Sequence, residues 1–192
     1  MTANASIPPR ATPYVRSKLP LRRLTRGQSI LQVELATLAG AFVKVVEIEG
    51  PIAIESAKRR IVEAWQTRVG TRINSYLDDA IRLAERQKKL VIRKSFLWPP
   101  GVTQVPLRIP TSGKDTRPIR EIPPEETILA IRECVTSAVG IERDDLVREV
   151  CKLFGLKATD DNTSVVNYFV GYLVSNNFLV SKNGKILRGK IS

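Results

Sequence analysis

The sequence of 192 residues contains no histidine. That absence removes Ser-His-Asp and Cys-His catalysis, zinc sites that need imidazole, and the commonest general base. Cysteine is nearly as scarce: Cys134 and Cys151 are the two present. They are too few for a zinc cluster or a disulfide framework, and they imply the reducing compartment of the cytoplasm. The sequence has neither a GxxxxGK(S/T) phosphate loop nor a GxGxxG turn. No run approaches the roughly 18 apolar residues that span a bilayer. The polar, proline-bearing residues 1–10 lack the apolar segment of a signal peptide. Secreted, membrane-spanning and catalytic readings all lose support. We expect a chain that is not an enzyme, with no cofactor, no metal, no membrane partner and no small-molecule substrate.

What is there reads as a folded protein. Hydrophobic residues make up 43% and charged residues 26%, which suits a buried core. Lysine and arginine outnumber aspartate and glutamate by 31 to 19, for a net charge of +12, which points to a polyanionic partner. The excess is unevenly placed. Residues 1–33 hold six basic and no acidic side chains, residues 34–98 hold 12 and eight, residues 99–123 hold four and two, and residues 124–192 hold nine and nine. An electrostatic partner should therefore meet the N-terminal part.

Shifting the chain by 89 residues, without a gap, superimposes two apolar patterns. Ala39, Phe42, Val45 and Val46 fall on Ile128, Ile131, Cys134 and Val135, and Ile52 falls on Ile141. Ala57, Ile61, Ala64 and Trp65 fall on Leu146, Val150, Leu153 and Phe154. Leu77, Ala80, Ile81 and Ala84 fall on Val166, Phe169, Val170 and Leu173, and Leu90, Val91, Leu97 and Trp98 on Leu179, Val180, Ile186 and Leu187. One segment aligns easily by chance; five in register point to a duplication.

Within each copy, steps of three, four and seven predict three amphipathic helices. A pair of short apolar runs around a polar break then predicts a hairpin. Asn183-Gly184 is a strong hairpin turn; Arg93-Lys94-Ser95 is its counterpart. Ser29 to Val46 reads as one long first helix. Gly155 is the expected cap after Phe154, and Asp160 or Asp161 the expected N-cap of the helix that follows. Three helices and a hairpin in about 65 residues is the order of a winged helix, whose second and third helices form a helix-turn-helix. The predicted fold is mainly α with small β-hairpins (α+β), as two tandem winged-helix units. Residues 1–28 form a basic Pro/Arg-rich arm, 29–100 the first unit, 101–122 a Pro-rich connector and 123–192 the second unit.

This layout singles out a candidate nucleic-acid face on the first unit. Arg68, Thr71, Arg72, Asn74 and Ser75 cluster at the start of the third helix, where such side chains reach base edges. Lys88, Lys89, Arg93 and Lys94 surround the hairpin, where lysines suit phosphates. Arg22, Arg23 and Arg26 in the arm add charge, and the interleaved Leu19, Leu21 and Leu24 predict an arm that packs while presenting arginines. Asp78 and Asp79 on the third helix oppose phosphate approach. In the second unit the candidates are Lys157, Asn162, Thr163, Lys182, Lys185 and Arg188, with Asp160 and Asp161 set against them. Cys134, Cys151, Trp65 and Trp98 fall in core register. The adjacent acids at 78–79 and 144–145 splay about 100° apart on a helix and do not make a shared metal site.

Trp65, the EIEGPI run at 47–52, Arg72-Ile73, the FLWPPG run at 96–101, Pro13-Tyr14 and the IPPEE start at 122–126 carry a resemblance. Through them the chain resembles, from about residue 10 to its end, an uncharacterised C-terminal domain family that closes large bacterial superfamily-one helicase-like proteins, often with a nuclease segment. No motor or nuclease segment is present in this sequence, and no catalytic residue attaches to the shared motifs. The resemblance implies a DNA-processing context and helicase or nuclease domains or subunits as partners. Composition and resemblance together lead to a non-catalytic accessory module binding DNA, duplex or single-stranded. The alternative is a protein-docking module that uses its winged helices as contact surfaces. A stand-alone transcription regulator would need a dimerisation helix or effector domain that the sequence does not show.

Overall fold

The computed structural model describes residues 11–138 and 140–189. Residues 1–10, which hold the start of the basic arm, lie outside the described residues, as do Val139 and residues 190–192. The chain divides into two compact units. The N-terminal unit is Val15–Thr103, and the C-terminal unit runs from Gln104 and takes in Tyr14 with the strand before it. Among the described residues the fold is α+β, with six α-helices, two three-stranded antiparallel sheets and one parallel strand pair.

The first described element belongs to the parallel pair. Strand β1, Ala11–Pro13, lies beside a later strand of the C-terminal unit. In the N-terminal unit, Ser29 caps a single helical turn, Ile30–Gln32, and Gln32 reciprocates by accepting from the Ser29 N–H at 2.8 Å. Val33 is extended at φ −74°, ψ 133°, so the helix expected from Ser29 is broken. Helix α1 begins afresh at Leu35 and runs to Glu49. The reciprocal cap explains the break: Ser29 and Gln32 satisfy each other's orphan backbone groups within one turn.

Helix α1 buries Leu38, Phe42, Val45 and Val46 on one stripe and stops at Gly50. A Cβ on Gly50 would sit 2.4 Å from the Val46 carbonyl oxygen and 2.7 Å from Pro99 Cδ, so this closure admits only glycine. Strand β2, Ile52–Ala53, leads into α2, Ile54–Ala64, and then α3, Thr71–Arg86. The hairpin of β3, Val91–Arg93, and β4, Phe96–Trp98, completes the unit, with β4 in the centre of the sheet and Ile52 opposite Leu97. Phe42, Ile61, Leu77, Ile81, Leu90 and Leu97 are fully buried, each contributing about 1.5–3 kcal/mol by removal from water.

The arm is tied to this unit by a buried carboxylate. Glu49 is inaccessible to solvent; it accepts from the Ser17 N–H at 2.9 Å, the Ser17 hydroxyl at 2.5 Å and the Arg60 Nε at 2.8 Å. Leu19 and Leu24 pack against the core, and the Arg22 N–H donates to the Ala64 carbonyl at 2.7 Å.

In the C-terminal unit, β5, Leu107–Ile109, pairs with β1 in parallel. Single helical turns follow at Gly113–Asp115 and Ile119–Glu121. Leu107, Ile119 and Ile122 belong to this unit's core, so the proline-rich stretch is packed and not merely strung between elements. Then come α4 at Pro124–Ala138, β6 at Ile141–Glu142, α5 at Arg143–Leu153, α6 at Asp160–Ser175, β7 at Leu179–Lys182 and β8 at Lys185–Arg188. Every helix begins and ends 89 residues after its N-terminal counterpart, and the central strand of the sheet is again the last. Asn183 and Gly184 both have positive φ, 52° and 77°, the signature of a type I′ hairpin turn. Thr159, not Asp160 or Asp161, caps α6. The two aspartates sit in the first turn, where their charge still favours the helix dipole.

Candidate functional site

The site follows from how the N-terminal unit spends its acidic residues. Val15–Thr103 carries 17 basic and eight acidic side chains. Glu49 is consumed by Ser17 and Arg60, Glu63 by Arg16 at 2.7 Å, and Asp79 by Arg82 at 3.1 Å. Lys58, only 4% exposed along its side chain, reaches Asp78 at 2.7 Å and Glu55 at 3.4 Å. The Glu85 carboxylate accepts from the Ile92 N–H at 3.1 Å. By contrast, Arg68, Arg72, Lys88, Lys89 and Lys94 are exposed and have no acidic partner among the described residues. Glu49 is buried and Asp78 and Glu85 are half-buried, while Glu34, Glu47, Glu55, Glu63 and Asp79 are exposed, the last three of them in ion pairs; the five cations are exposed without such a pair among the described residues.

Around the start of α3 these groups take a definite arrangement. Thr71, Arg72 and Ser75 line one open depression of about 400 Å³ with Leu31, Tyr76 and Asp79. Tyr76 is fixed by donating its hydroxyl to the Val33 carbonyl at 2.7 Å. Asn74 is half-buried and points to α2, where its side-chain oxygen accepts from Lys58 Nζ at 2.8 Å. Lys88 and Lys94 stand at turns with φ of 57° and 55°. Arg93 is half-buried, its guanidinium 4.5 Å from the centre of the Trp98 ring, so part of its function is packing.

The arm arginines are elsewhere on the unit. Arg22 lies 5.8 Å from the Trp65 ring centre and lines a groove of about 150 Å³ with Leu19, Pro20, Gly40 and Lys44. Arg23 and Arg26 are exposed. Trp65 and Trp98 are buried at 4% and 2% exposure.

The second-unit candidates are more scattered. The Asn162 side-chain amide donates to the Lys157 carbonyl at 2.9 Å, and the Thr163 hydroxyl to the Asp160 carbonyl at 3.2 Å; both polar groups are spent on building the start of α6. Lys182 and Lys185 face each other across the β7–β8 hairpin, and Arg188 is exposed beyond them. Asp161 is engaged by Arg120 at 2.5 Å, and that hydrogen bond holds its carboxyl below the usual range.

Besides the Ser17–Glu49–Arg60 cluster, three groups escaped the reading of the sequence. Lys58 is one; its signal is a lysine on the apolar side of α2, one residue from Ala57 and three from Ile61. A second is a buried cluster in the C-terminal unit. Glu126, inaccessible to solvent, is clasped by Arg108 at 2.7 Å and Arg117 at 2.6 Å, and the Arg117 guanidinium lies 4.2 Å from the Tyr14 ring centre. Burial pushes the Glu126 carboxyl up, and the two guanidinium groups outweigh it, so the carboxyl titrates below its ordinary value. No local pattern announces this cluster. The third group comprises Arg143, Tyr168 and Tyr172 on the outward side of α6, signalled by tyrosines four apart across the helix from Val166, Val170 and Leu173.

Cys134 is half-buried and Cys151 buried, and both are free. Burial, followed by Glu149 and Glu133, pushes the Cys134 thiol up to about 12. Among the described residues no group of three or more Cys, Asp and Glu side chains is placed to hold a metal ion, and no helix is long and apolar enough to cross a membrane.

Residues 28–75 match the model of a family described as a protein of unknown function, DUF3320. The matched stretch, a quarter of the chain, runs from the turn before α1 to the first turn of α3, and over it the chain is similar to an uncharacterised domain family. No curated protein and no solved structure matches.

Proposed function

We propose that the chain is a non-catalytic nucleic-acid-binding module of two winged-helix units, serving as an accessory to a helicase- or nuclease-type DNA-processing system in the cytoplasm. The element order of each unit supports this reading. It runs helix, two-residue strand, helix, helix and hairpin, with the last strand central; in a winged helix, α3 would enter the groove and the β3–β4 hairpin would be the wing. The observation that carries the proposal is the sorting of charge in the N-terminal unit. Lys58 offsets Asp78 and Glu55, and Arg82 offsets the exposed Asp79, which leaves Arg68, Arg72, Lys88, Lys89 and Lys94, exposed and unpaired among the described residues, for phosphates. The helicase or nuclease context rests on the resemblance carried by residues 47–52 and 96–101, and any catalysis would belong to other domains.

Fluorescence anisotropy with a labelled duplex tests the proposal. With about six phosphate contacts, affinity should fall with salt at a log–log slope near −5. The variant Arg72→Glu/Lys89→Glu/Lys94→Glu should bind at least tenfold more weakly at low salt; it spares Arg93, whose stacking on Trp98 is structural. Absence of binding at low salt, or indifference to these three charges, would overturn the placement and favour the protein-docking reading.

A further inference from the structure

The outward side of α6 differs sharply from that of α3 at positions paired by the 89-residue offset. Where α3 carries Asp79 and Leu83, α6 carries Tyr168 and Tyr172, which are 69% and 46% exposed. Four residues apart, they stand one above the other on a single stripe. Phe169 meets the Tyr168 ring edge-on at 5.3 Å between centres and braces it. In the adjoining stripe Arg143 reaches over from α5. Its Nε donates to the Asn167 side-chain oxygen at 2.9 Å and its Nη2 to the Asn167 carbonyl at 3.1 Å. Nη2 lies 3.6 Å from where a Cβ on Gly171 would stand. Nη1 has no partner among the described residues. The N-terminal counterparts of Arg143 and Asn167 are Ile54 and Asp78, so this guanidinium has no equivalent there.

We infer that this side of α6 is a stacking platform for the unpaired bases of a single-stranded nucleic acid, with Tyr168 and Tyr172 taking base faces and Arg143 taking the phosphate between them. The inference rests on the nucleic-acid reading above and adds the strand class and the unit that binds it. Exposed aromatic rings accept any base by its π-face, whereas the bases of a duplex are already stacked on one another and offer no free face. Successive tyrosines on the helix are spaced by about 6 Å of rise, which suits neighbouring splayed bases. The guanidinium is held by two hydrogen bonds with one amine left over, and its planar fork matches phosphate oxygens. Two exposed aromatic rings, one of them braced, beside an anchored cation with a free amine are the combination that single-strand sites use.

Anisotropy on the full chain with a labelled oligothymidylate and a labelled duplex decides the matter. Tyr168→Ala/Tyr172→Ala should lower oligothymidylate affinity on the order of tenfold or more and leave duplex affinity within about twofold. Tyr168→Phe/Tyr172→Phe, which keeps the rings, should retain oligothymidylate binding. Arg143→Gln should reduce the single-strand salt slope by about 0.7. The inference is overturned if the alanine pair leaves oligothymidylate affinity unchanged, if it weakens both probes equally, or if the phenylalanine pair loses as much as the alanine pair. It is equally overturned if the alanine pair changes only the molar mass by light scattering, which would make the face a protein contact. If the unaltered chain binds neither probe at low salt, the nucleic-acid reading fails as a whole. Duplex binding that depends on Arg72 and Lys89, alongside oligothymidylate binding that ignores the tyrosines, removes this inference alone.

Discussion

Lys58 places its ammonium 2.7 Å from the Asp78 carboxylate and 2.8 Å from the Asn74 side-chain oxygen. The pair joins α2 to α3 and cancels a negative charge on the helix that carries Arg72. Its two ends are unequally buried, 4% exposed for the Lys58 side chain and 34% for Asp78. Removing the acid leaves a buried ammonium with the neutral Asn74 oxygen and only a long 3.4 Å contact to the exposed Glu55, whereas replacing the lysine with an apolar chain of similar length leaves only a half-solvated carboxylate. Urea unfolding should therefore show Asp78→Ala costing about 2–3 kcal/mol and Lys58→Met about 1 kcal/mol. Equal costs would mean that the pair is not buried as described.

The Glu126 cluster makes a second energetic case. Glu126→Gln leaves Arg108 and Arg117 buried against a neutral amide, and should cost about 3–5 kcal/mol. Replacing all three residues with methionine removes the desolvation of the charges together with their attraction, so the triple variant should be more stable than the single one in the same unfolding assay.

Acid should find this cluster too. The folded-state pKa of Glu126 lies below its ordinary value of 4.5, because hydrogen bonds and charge from Arg117 and Arg108 outweigh burial. A depressed carboxyl contributes stability that is fully present above the unfolded pKa and is lost as pH falls through the folded one. Thermal unfolding measured from pH 7 downward should show stability falling below about pH 4.5, with a shallower fall in Glu126→Gln.

The thiols give a prediction of silence. With Cys134 pushed up to about 12 and Cys151 raised by burial and inaccessible to solvent, both thiols are poor nucleophiles at pH 8. A thiol-reactive dye should label neither cysteine in the native chain within minutes and both in urea.

Much of the scaffold was legible because apolar spacing is periodic. Leu77, Ala80, Ile81 and Ala84 are all buried, as are Val166, Val170 and Leu173, and the helices lie at the offset that the apolar residues set. Asn183-Gly184 marked its turn because few other pairs tolerate two positive φ values. The misses have a shared cause. Ser17 with Glu49 and Arg108 with Glu126 are polar partners brought together from separate elements, and such pairing leaves no periodic trace. The first helix was overextended because Ile30 and Leu31 continue the apolar pattern, while the reciprocal cap of Ser29 and Gln32 decides the backbone. At α6, Thr159 won the cap that two aspartates were expected to supply. On the candidate face, Arg68, Arg72, Lys88 and Lys89 were conspicuous by charge. The inward turn of Asn74 toward Lys58 was not, because it depends on how α2 crosses α3.

The constant offset between the two units has an experimental meaning. Since every helix of one unit starts and stops where its twin does, the molecule carries its own internal control. Outward-facing residues can be exchanged between twin positions, Asp79 with Tyr168 or Lys89 with Phe178, against a backbone of the same element lengths. Whatever binding travels with the exchanged side chains belongs to those side chains, and whatever stays behind belongs to the frame.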